Sequence, residues 1–245
     1  MKICVVGGGL CGLVSALNLA ESHQVDLFER RPIAGGCLGS YRIDDYWIEE
    51  YYHHCFAGDA RLLALIEALG VADRLEWLRG STGYCVDGTI HPLTSPTEIL
   101  LYPHLTLIEK ARLGLLTLRS RGLDVSALDG ITAEDYILDT LGSGIYASFF
   151  EPLLKSKFGD RRSEISAAWL ISRIAIRSDR GTGGERLGYI RGGFHHLIAR
   201  LQEEIERLGA TVMLDSPVGE IRRGADGWLV DGKDYDAVIS TLPPR

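Results

Sequence analysis

The hydrophobic pattern of the first thirty residues is that of a strand, a helix and a second strand. Residues 2–6 are continuously apolar, as in a strand at the centre of a parallel sheet. Residues 10–21 carry leucine and alanine at helical spacing, and residues 25–28 are again typical of a strand. A glycine turn separates the first strand from the helix. The segment therefore predicts one βαβ unit with a right-handed crossover.

The pattern becomes mainly helical in the middle of the chain. A glycine-rich loop at 33–40 and an aromatic stretch at 46–56 precede a predicted helix at 59–69. Short strands are predicted at 75–78, 84–86 and 89–91. Helical periodicity then predicts helices at roughly 106–120, 132–140, 143–156 and 166–177. The stretch Ser178–Gly184 predicts a loop.

Short apolar runs return near residue 187. They predict a strand at 187–190, a helix at 193–208 and strands near 211–214, 217–222, 228–231 and 235–240. An α/β beginning, a helical middle and an α/β end indicate a helical domain inserted into a nucleotide-binding one. We therefore predict an α/β fold in which residues 1–57 and 187–245 form the nucleotide-binding domain and residues 58–186 form the inserted substrate domain.

Charge and composition exclude several classes of protein. The formal net charge is −7, which argues against a general nucleic-acid binder. No apolar run reaches the roughly 18 residues that a membrane-spanning helix needs. The chain opens directly on a predicted strand, which leaves no room for a signal peptide, so we expect a cytoplasmic protein.

The cysteines argue against a metal site. All five lie singly along the chain, with no Cys-x-x-Cys pair, at Cys4, Cys11, Cys37, Cys55 and Cys85. We expect them to be reduced and no zinc or other metal to be bound. Cys4 and Cys11 occupy positions where small buried side chains are expected.

The candidate chemistry begins at the glycine turn. Gly7, Gly9 and Gly12 form a G-x-G-x-x-G motif between the first strand and its helix. The first glycine allows the tight turn, the second lets the backbone approach a pyrophosphate, and the third lets the helix pack on the sheet. Glu29 ends the next strand, 22 positions beyond Gly7, where its carboxylate can accept hydrogen bonds from the adenosine ribose. The motif therefore predicts a dinucleotide site at the helix N-terminus.

Two further features select the dinucleotide. The Glu29 carboxylate would repel a 2′-phosphate, which disfavours NADP, although Arg30 and Arg31 weaken this argument. A second glycine pair, Gly35-Gly36, follows soon after. An NAD domain needs no second close backbone approach there, whereas a longer dinucleotide does. The residues therefore favour FAD.

With these motifs in view, the chain resembles the FAD-dependent amine oxidase superfamily, which includes protoporphyrinogen oxidases and phytoene-type desaturases. Val5 to Leu13, Glu29, Gly35-Gly36 and Ser40 fit its signature, whereas Cys37 stands where the family has a loop arginine. The resemblance implies a Rossmann-like, GR2-type FAD-binding domain. The expected cofactor-binding residues are Gly7, Gly8, Gly9, Leu10, Cys11, Gly12, Glu29, Arg30, Arg31, Gly35, Gly36, Cys37, His54, Val218 and Thr241.

Other stretches extend the resemblance over the chain. They are Glu151–Leu154 with Gly159-Asp160 and Ile165-Ser166, then Arg191–Phe194, Val218–Ile221 and Asp236–Pro244. Family members usually continue well past the Pro-Pro element with a segment that contacts the flavin. Since this chain ends at Arg245, we expect it to lack that segment and to hold FAD weakly by itself.

Four weaker candidates leave alternatives open. His53 or His54 occupies the place of a flavin-proximal aromatic stretch in the family, but ordinary packing is the alternative. Lys155 and Lys157 could bind an acidic substrate group or be solvated, and His195-His196 is expected at the surface. The leucine-rich segment 105–118 covers more than one helical face, so core packing, a partner surface and peripheral membrane contact all stay open.

The resemblance implies an FAD-dependent oxidoreductase that accepts hydride from a C–H or C–N bond of a small apolar or amine-containing molecule. No catalytic acid or base is predicted, because such flavin chemistry often needs none. Two alternatives stay open: a flavin-dependent mutase without net oxidation, similar to UDP-galactopyranose mutase, and a non-catalytic dinucleotide-binding fragment. The oligomeric state is not predicted.

Overall fold

A computed structural model describes residues 1–81, 83–93, 95–177 and 185–243, without the side chains of residues 176, 177 and 185. The predicted loop Ser178–Gly184 and the last residue of the predicted segment Asp236–Pro244 lie outside the described residues. The chain divides into two compact units. The first comprises residues 1–78 and 187–245, and the second comprises residues 79–186.

The strands are β1 (Lys2–Val6), β2 (Gln24–Phe28), β3 (Ser40–Ile43), β4 (Tyr46–Glu49), β5 (Cys55–Phe56), β6 (Leu75–Gly80), β7 (Gly83–Val86), β8 (Thr89–Pro92), β9 (Glu185–Ile190), β10 (Thr211–Met213), β11 (Ile221–Arg223), β12 (Trp228–Val230), β13 (Lys233–Tyr235) and β14 (Ala237–Ser240). The α-helices are α1 (Leu10–Ala20), α2 (Ala60–Ala68), α3 (Pro96–Leu101), α4 (Leu107–Arg119), α5 (Ala133–Thr140), α6 (Ser143–Ile145), α7 (Glu151–Phe158), α8 (Ala167–Arg177) and α9 (His195–Arg207).

A four-stranded parallel sheet in the order β10-β2-β1-β14 organises the first unit. Ile3 to Val6 pair with Val25 to Phe28 on one side and with Ala237 to Ser240 on the other. The central strand β1 is buried along most of its length, as its unbroken apolar run predicted. This topology brings the carboxyl ends of β1, β2 and β14 to one edge of the sheet.

Helices α1, α2 and α9 contribute to the core of the first unit. Leu13 and Ala16 of α1 are fully buried in the same cluster as Leu197 and Leu201 of α9. Ile66 of α2 is also fully buried in this cluster. The first segment of this unit runs to Leu78, beyond residue 57, because α2 packs into the core of this unit.

Two small antiparallel elements were not fully predicted. The hairpin β3–β4 forms around Asp44, which adopts a positive φ of 50°. The sheet β11-β12-β13 forms where a strand was predicted at 217–222. Only the last two residues of that predicted range belong to a strand, β11. Val218 lies before β11 and outside any strand. Its neighbours Gly219 and Glu220 donate their backbone N–H groups to the side chain of Asp231 instead of to a strand.

The second unit is mainly helical, as predicted, and has its own core. Buried aromatic and aliphatic side chains of this core include Tyr102, Phe150, Leu154 and Ile171. A π-helical turn over Tyr146–Phe150 joins α6 to α7. Short helix α3 was not predicted, although Ser95 and Glu98 form a capping box at its start. None of the helices described is long and apolar enough to cross a membrane.

Candidate dinucleotide site

The glycine turn closes at the carboxyl ends of β1 and β14. Gly7 has a φ of 107°, which favours glycine, and its N–H donates to the carbonyl of Phe28 at 2.8 Å. The Thr241 hydroxyl donates to the carbonyl oxygens of Val6 and Gly7 at 3.1 and 3.2 Å. A Cβ on Gly12 would overlap the carbonyl oxygen of Gly7, so the start of α1 can lie against the turn only without a side chain there. The structure therefore brings Thr241 into contact with the glycine turn.

The second glycine pair packs directly on the first. Gly35 donates its N–H to the carbonyl of Gly8 at 2.7 Å and forms a parallel bridge with Gly9. A Cβ on Gly36 would lie 2.9 Å from the Gly9 Cα. A Cβ on Gly9 would make only an ordinary contact, 3.8 Å from the Gly36 Cα. Among the residues the structure describes, nothing therefore fills the space beside Gly9, and its φ of −71° does not require glycine.

The N-terminus of α1 presents backbone donors at this place. Gly9 is the N-cap and supplies no side-chain hydrogen bond to the first turn. The first N–H groups of a helix have no partner inside the helix, and they carry the positive end of its dipole. Leu10 and Cys11 belong to this first turn. Cys11 is exposed, contrary to the prediction that it is buried, because Gly12, Leu13 and Ala16 form the buried face of the helix.

Glu29 is held against the glycine turn by two backbone donors. Its carboxylate is buried, at 8% exposure, and accepts the N–H of Gly8 at 2.7 Å and the N–H of Arg31 at 2.9 Å. A carboxylate has lone pairs beyond these two bonds. Glu29 therefore has a structural role that the sequence did not reveal, and it keeps acceptor capacity for ribose hydroxyls.

The arginines after Glu29 differ in their surroundings. Arg31 donates to Glu50 through both terminal nitrogens, one of them at 2.8 Å. This hydrogen bond holds the pKa of the Glu50 carboxyl below its usual value and raises the pKa of Arg31. Arg30 is exposed. The Arg31 charge is therefore largely compensated inside the protein, by a glutamate that sequence reasoning did not single out.

Three predicted residues have no described contact with the glycine turn. Cys37 is exposed in a 3₁₀ turn that directly follows Gly36. Val218 packs in a cluster with Phe28 on one face of the parallel sheet. His54 packs edge-to-face on Phe56, and the His53 Nδ1 lies 2.8 Å from the carbonyl of Tyr51. Both histidines directly precede β5.

His195 and His196 are half-buried, whereas surface positions were predicted. The His195 ring stacks on Trp47 of the β3–β4 hairpin, with ring centroids 4.3 Å apart. The His196 Nε2 lies 3.3 Å from a terminal nitrogen of Arg74. The His195 Nδ1 is buried and has no hydrogen-bond partner in the described part of the chain. Because the hairpin was not predicted, its packing on the start of α9 was not predicted either.

Glu49 joins the same hairpin to α9. Its carboxylate accepts the N–H of Phe194 at 2.7 Å and the hydroxyl of Tyr189 at 2.9 Å. Burial and this hydrogen bond raise the pKa of Tyr189 to about 12, so the hydroxyl stays protonated and donates. Sequence reasoning missed Glu49. No pattern in the sequence distinguished it, because its place opposite the buried Ser40 is visible only in the structure.

We expect acid to destabilise this cluster. Burial lowers the pKa of His195 and of His196, and the neighbouring Arg74 lowers both further. An unfolded histidine titrates near about 6.5. The neutral imidazoles therefore make their full contribution to the free energy of unfolding above about pH 6.5. This contribution is lost as the pH falls below that value. We expect the free energy of unfolding, measured in urea, to fall less between about pH 7.5 and 5.5 in a His195→Phe/His196→Gln variant than in wild type.

The matched control is His104→Gln, which changes an exposed histidine of the second unit. It should keep the wild-type pH dependence. Parallel pH profiles for wild type and the double variant would show that the buried imidazoles do not cause the acid sensitivity.

No cluster of His, Cys, Asp or Glu that could hold a metal ion is found among the described residues. All five cysteines are free thiols. Lys155 and Lys157 are exposed on α7, and the Lys157 ammonium lies over the ring of Trp169. The site therefore consists of a backbone cradle, one buried carboxylate and a helix N-terminus, which is an arrangement that recognises the ribose and pyrophosphate of a dinucleotide.

The family described as flavin containing amine oxidoreductase matches this chain over residues 10–245. The chain therefore belongs to that family, and FAD is the cofactor that membership implies, as predicted.

Individual relatives agree with this assignment. The chain is 27% identical to a 15-cis-phytoene desaturase from Solanum lycopersicum over 272 aligned positions, covering 99% of this chain and 46% of that protein. It superimposes with a TM-score of 0.72 on a candidate protoporphyrinogen oxidase from Exiguobacterium sp. 255-15 at 26% identity, covering 99% of this chain and 59% of that one. An oxidoreductase from Methanosarcina mazei shares the fold, with a TM-score of 0.70 at 20% identity over 99% of this chain and 59% of its own. The predicted fold class is confirmed, and the chain spans about half the length of the curated relatives it matches.

Proposed function

We propose that this chain forms the dinucleotide-binding part of an FAD-dependent oxidoreductase. The observation that carries the proposal is the junction of the glycine turn with the buried carboxylate of Glu29, which accepts the Gly8 N–H at 2.7 Å. A carboxylate fixed at the end of the second strand beside a helix N-terminus is the arrangement that binds adenosine ribose and pyrophosphate.

Each part of the cradle has a separate task. The first N–H groups of α1 and the open space at Gly9 would hold the pyrophosphate. Glu29 would accept the ribose hydroxyls, and its two backbone donors fix the direction of its carboxylate. Thr241 keeps the turn closed by donating to the carbonyls of Val6 and Gly7. These residues bind and orient, and we assign none of them a role as acid or base.

FAD, when bound, supplies the hydride acceptor. The substrate we propose is a small apolar or amine-containing molecule, since the phytoene desaturase acts, by its name, on an apolar compound and the family is described as amine oxidoreductases. We further propose that the unit of residues 79–186 is the substrate domain and that residues 1–78 and 187–245 bind the cofactor. A cytoplasmic location is part of this proposal, supported by five free cysteines.

The test is to add FAD to the purified full chain and follow flavin absorbance and fluorescence. Bound flavin that becomes reduced, without oxygen, by an amine or a polyene supports the oxidoreductase. Bound flavin that no such compound reduces limits the chain to dinucleotide binding. Failure to bind FAD, with NADP bound instead, would contradict the proposed cofactor.

Glu29→Ala should weaken FAD binding by about 1–3 kcal/mol, the usual scale for a lost charged acceptor. The variant also leaves the N–H groups of Gly8 and Arg31 without their acceptor, so part of the effect is structural. Titration with FAD whose adenosine ribose is 2′-deoxy separates the two parts. Wild type should bind this analogue more weakly than FAD, whereas the variant should bind both alike.

Glu50→Ala is the matched control. It removes the neighbouring carboxylate, which pairs with Arg31 rather than with the glycine turn. Its preference for FAD over the 2′-deoxy analogue should equal that of wild type. An unchanged preference in Glu29→Ala would show that Glu29 does not contact the ribose.

A further inference from the structure

The side chain of Arg31 lies beside the dinucleotide cradle. The backbone N–H of this residue donates to the Glu29 carboxylate at 2.9 Å, directly after β2. The guanidinium reaches the loop that follows the second glycine pair, where a Cβ on Gly39 would lie 3.6 Å from one of its terminal nitrogens. Arg31 therefore contacts both chain segments that form the cradle, the end of β2 and the glycine loop.

Glu50 holds this guanidinium from the end of the β3–β4 hairpin. Glu50 directly follows β4, and its N–H donates to the carbonyl of Gly39 at 2.9 Å. Its carboxylate accepts hydrogen bonds from both terminal nitrogens of Arg31. The side chains of Arg31 and Glu50 are 35 and 25% exposed. Water and salt therefore screen this ion pair less than they screen a pair on the open surface.

The charge of Glu29 also acts on the Arg31 guanidinium. The hydrogen bond to Glu50 is the main cause of the raised pKa of Arg31, and the charges of Glu50 and Glu29 contribute to it. Glu29, Arg31 and Glu50 together carry one negative charge, and without Glu50 they would be neutral. The charge of Glu50 therefore decides whether this side of the cradle is acidic or neutral.

A 2′-phosphate on the adenosine ribose would compete with Glu50. A guanidinium binds phosphate through the same two parallel N–H groups that it offers to a carboxylate. In cradles of this type an arginine near the end of the second strand accommodates a 2′-phosphate. Glu50 already occupies that fork of Arg31. A 2′-phosphate would therefore have to displace one carboxylate while the carboxylate of Glu29 repels it.

We propose that Glu50 is a positioning residue that excludes nucleotides bearing a 2′-phosphate, because it holds the Arg31 side chain that such a phosphate would need. The inference rests on the proposed dinucleotide site and adds a second determinant to its specificity. Glu29 selects a free 2′-hydroxyl by direct contact, whereas Glu50 acts through Arg31. Arg30 is exposed and unchanged in the variants below, so its charge is the same in every comparison.

The test is calorimetric titration of the full chain with ADP and with ADP that carries a 2′-phosphate. Wild type should bind ADP at least about tenfold more tightly than the 2′-phosphorylated form. Glu50→Gln should reduce this ratio of affinities at least about fivefold, since it frees the Arg31 fork for the phosphate. The reduction should be smaller at about 1 M salt than at about 0.1 M, because the phosphate is attracted by charge. The affinity for ADP itself should stay within about twofold of wild type, which also shows that the variant is folded.

The double variant Glu50→Gln/Arg31→Gln tests whether Glu50 acts through Arg31. It lacks both charges of the ion pair, so the net charge of the cradle equals that of wild type and no Arg31 guanidinium is present. The ratio of affinities should return to within about twofold of the wild-type value. A ratio that stays as low as in Glu50→Gln would overturn the proposal, because Arg31 would then not be needed for the effect.

Glu76→Gln is the matched control. Glu76 pairs with Arg191 at 3.3 Å in the same unit, and the variant removes the same charge outside the cradle. It should keep the wild-type ratio. An equal reduction in this control also overturns the proposal. So does a Glu50→Gln protein that binds both nucleotides more weakly at an unchanged ratio, which is the result expected of a merely structural role. Failure of the wild type to bind ADP at all would contradict the proposed function, and this inference with it, so the two failures are distinguishable.

Discussion

Gly9→Val is expected to abolish FAD binding while leaving the fold intact. Among the described residues, a Cβ at this position meets only the Gly36 Cα, at 3.8 Å. The backbone there is in an extended region that valine adopts readily. The added branches occupy the space in front of the α1 N-terminus. Losing hydrogen bonds between backbone and pyrophosphate should lower the affinity at least about 100-fold. Fluorescence titration with FAD measures the loss.

Two comparisons make this result specific. Circular dichroism should show that Gly9→Val costs at most about 1 kcal/mol of stability, since an N-cap glycine is only moderately better than valine. Gly9→Ala, which adds a single methyl group, should fall between wild type and the valine variant in FAD affinity. A Gly9→Val protein purified with stoichiometric flavin would place the pyrophosphate elsewhere.

Gly12→Ala is expected to destabilise the fold itself by about 3 kcal/mol or more. It differs in this from Gly9→Val, whose main effect is on FAD binding. Its Cβ would overlap the carbonyl oxygen of Gly7, so the start of α1 must move away from the turn. Neither partner in this clash is a flexible side chain. Thermal unfolding of the protein without flavin measures the effect.

The control for this prediction is Gly114→Ala in α4. This glycine is also helical, but apart from its chain neighbours and the nearby backbone of α4 no atom of the described residues lies within 4 Å of its added Cβ. The change should be neutral or stabilise by up to about 1 kcal/mol. A Gly12→Ala protein as stable as wild type would contradict the close packing of α1 on the turn.

The βαβ unit could be predicted because every local signal in it agrees. The apolar strand, the glycines and Glu29 each favour the same structure, and the parallel ladder of β1 with β2 follows from them. The position of α2 could not be predicted, because an amphipathic helix shows which of its faces is buried but not which core receives it. The structure shows that α2 packs into the core of the first unit, because Ile66 is buried there.

Most of what the sequence missed involves partners distant along the chain. The Glu49 carboxylate binds the Phe194 N–H across 145 positions, and Arg74 meets His196 across 122. The hydrophobic pattern along the sequence does not indicate contacts between residues so far apart. The strand predicted at Val218 is wrong for a local reason: the Asp231 side chain takes the backbone donors that a ladder would use. Helix α3 was missed although its capping box is visible in the sequence.

The pairing of β1 with β14 has a consequence for how the protein is made. Ile3 lies beside Ala237, so this side of β1 stays unpaired until the residues of β14 have left the ribosome. The residues of the second unit, 79–186, are synthesised in between and can pack their own core earlier. Closing so long a loop is entropically costly and slow. Thr241 reaches Gly7 only after β14 has paired, so a nascent chain that has not yet reached residue 241 lacks one of the contacts that close the glycine turn.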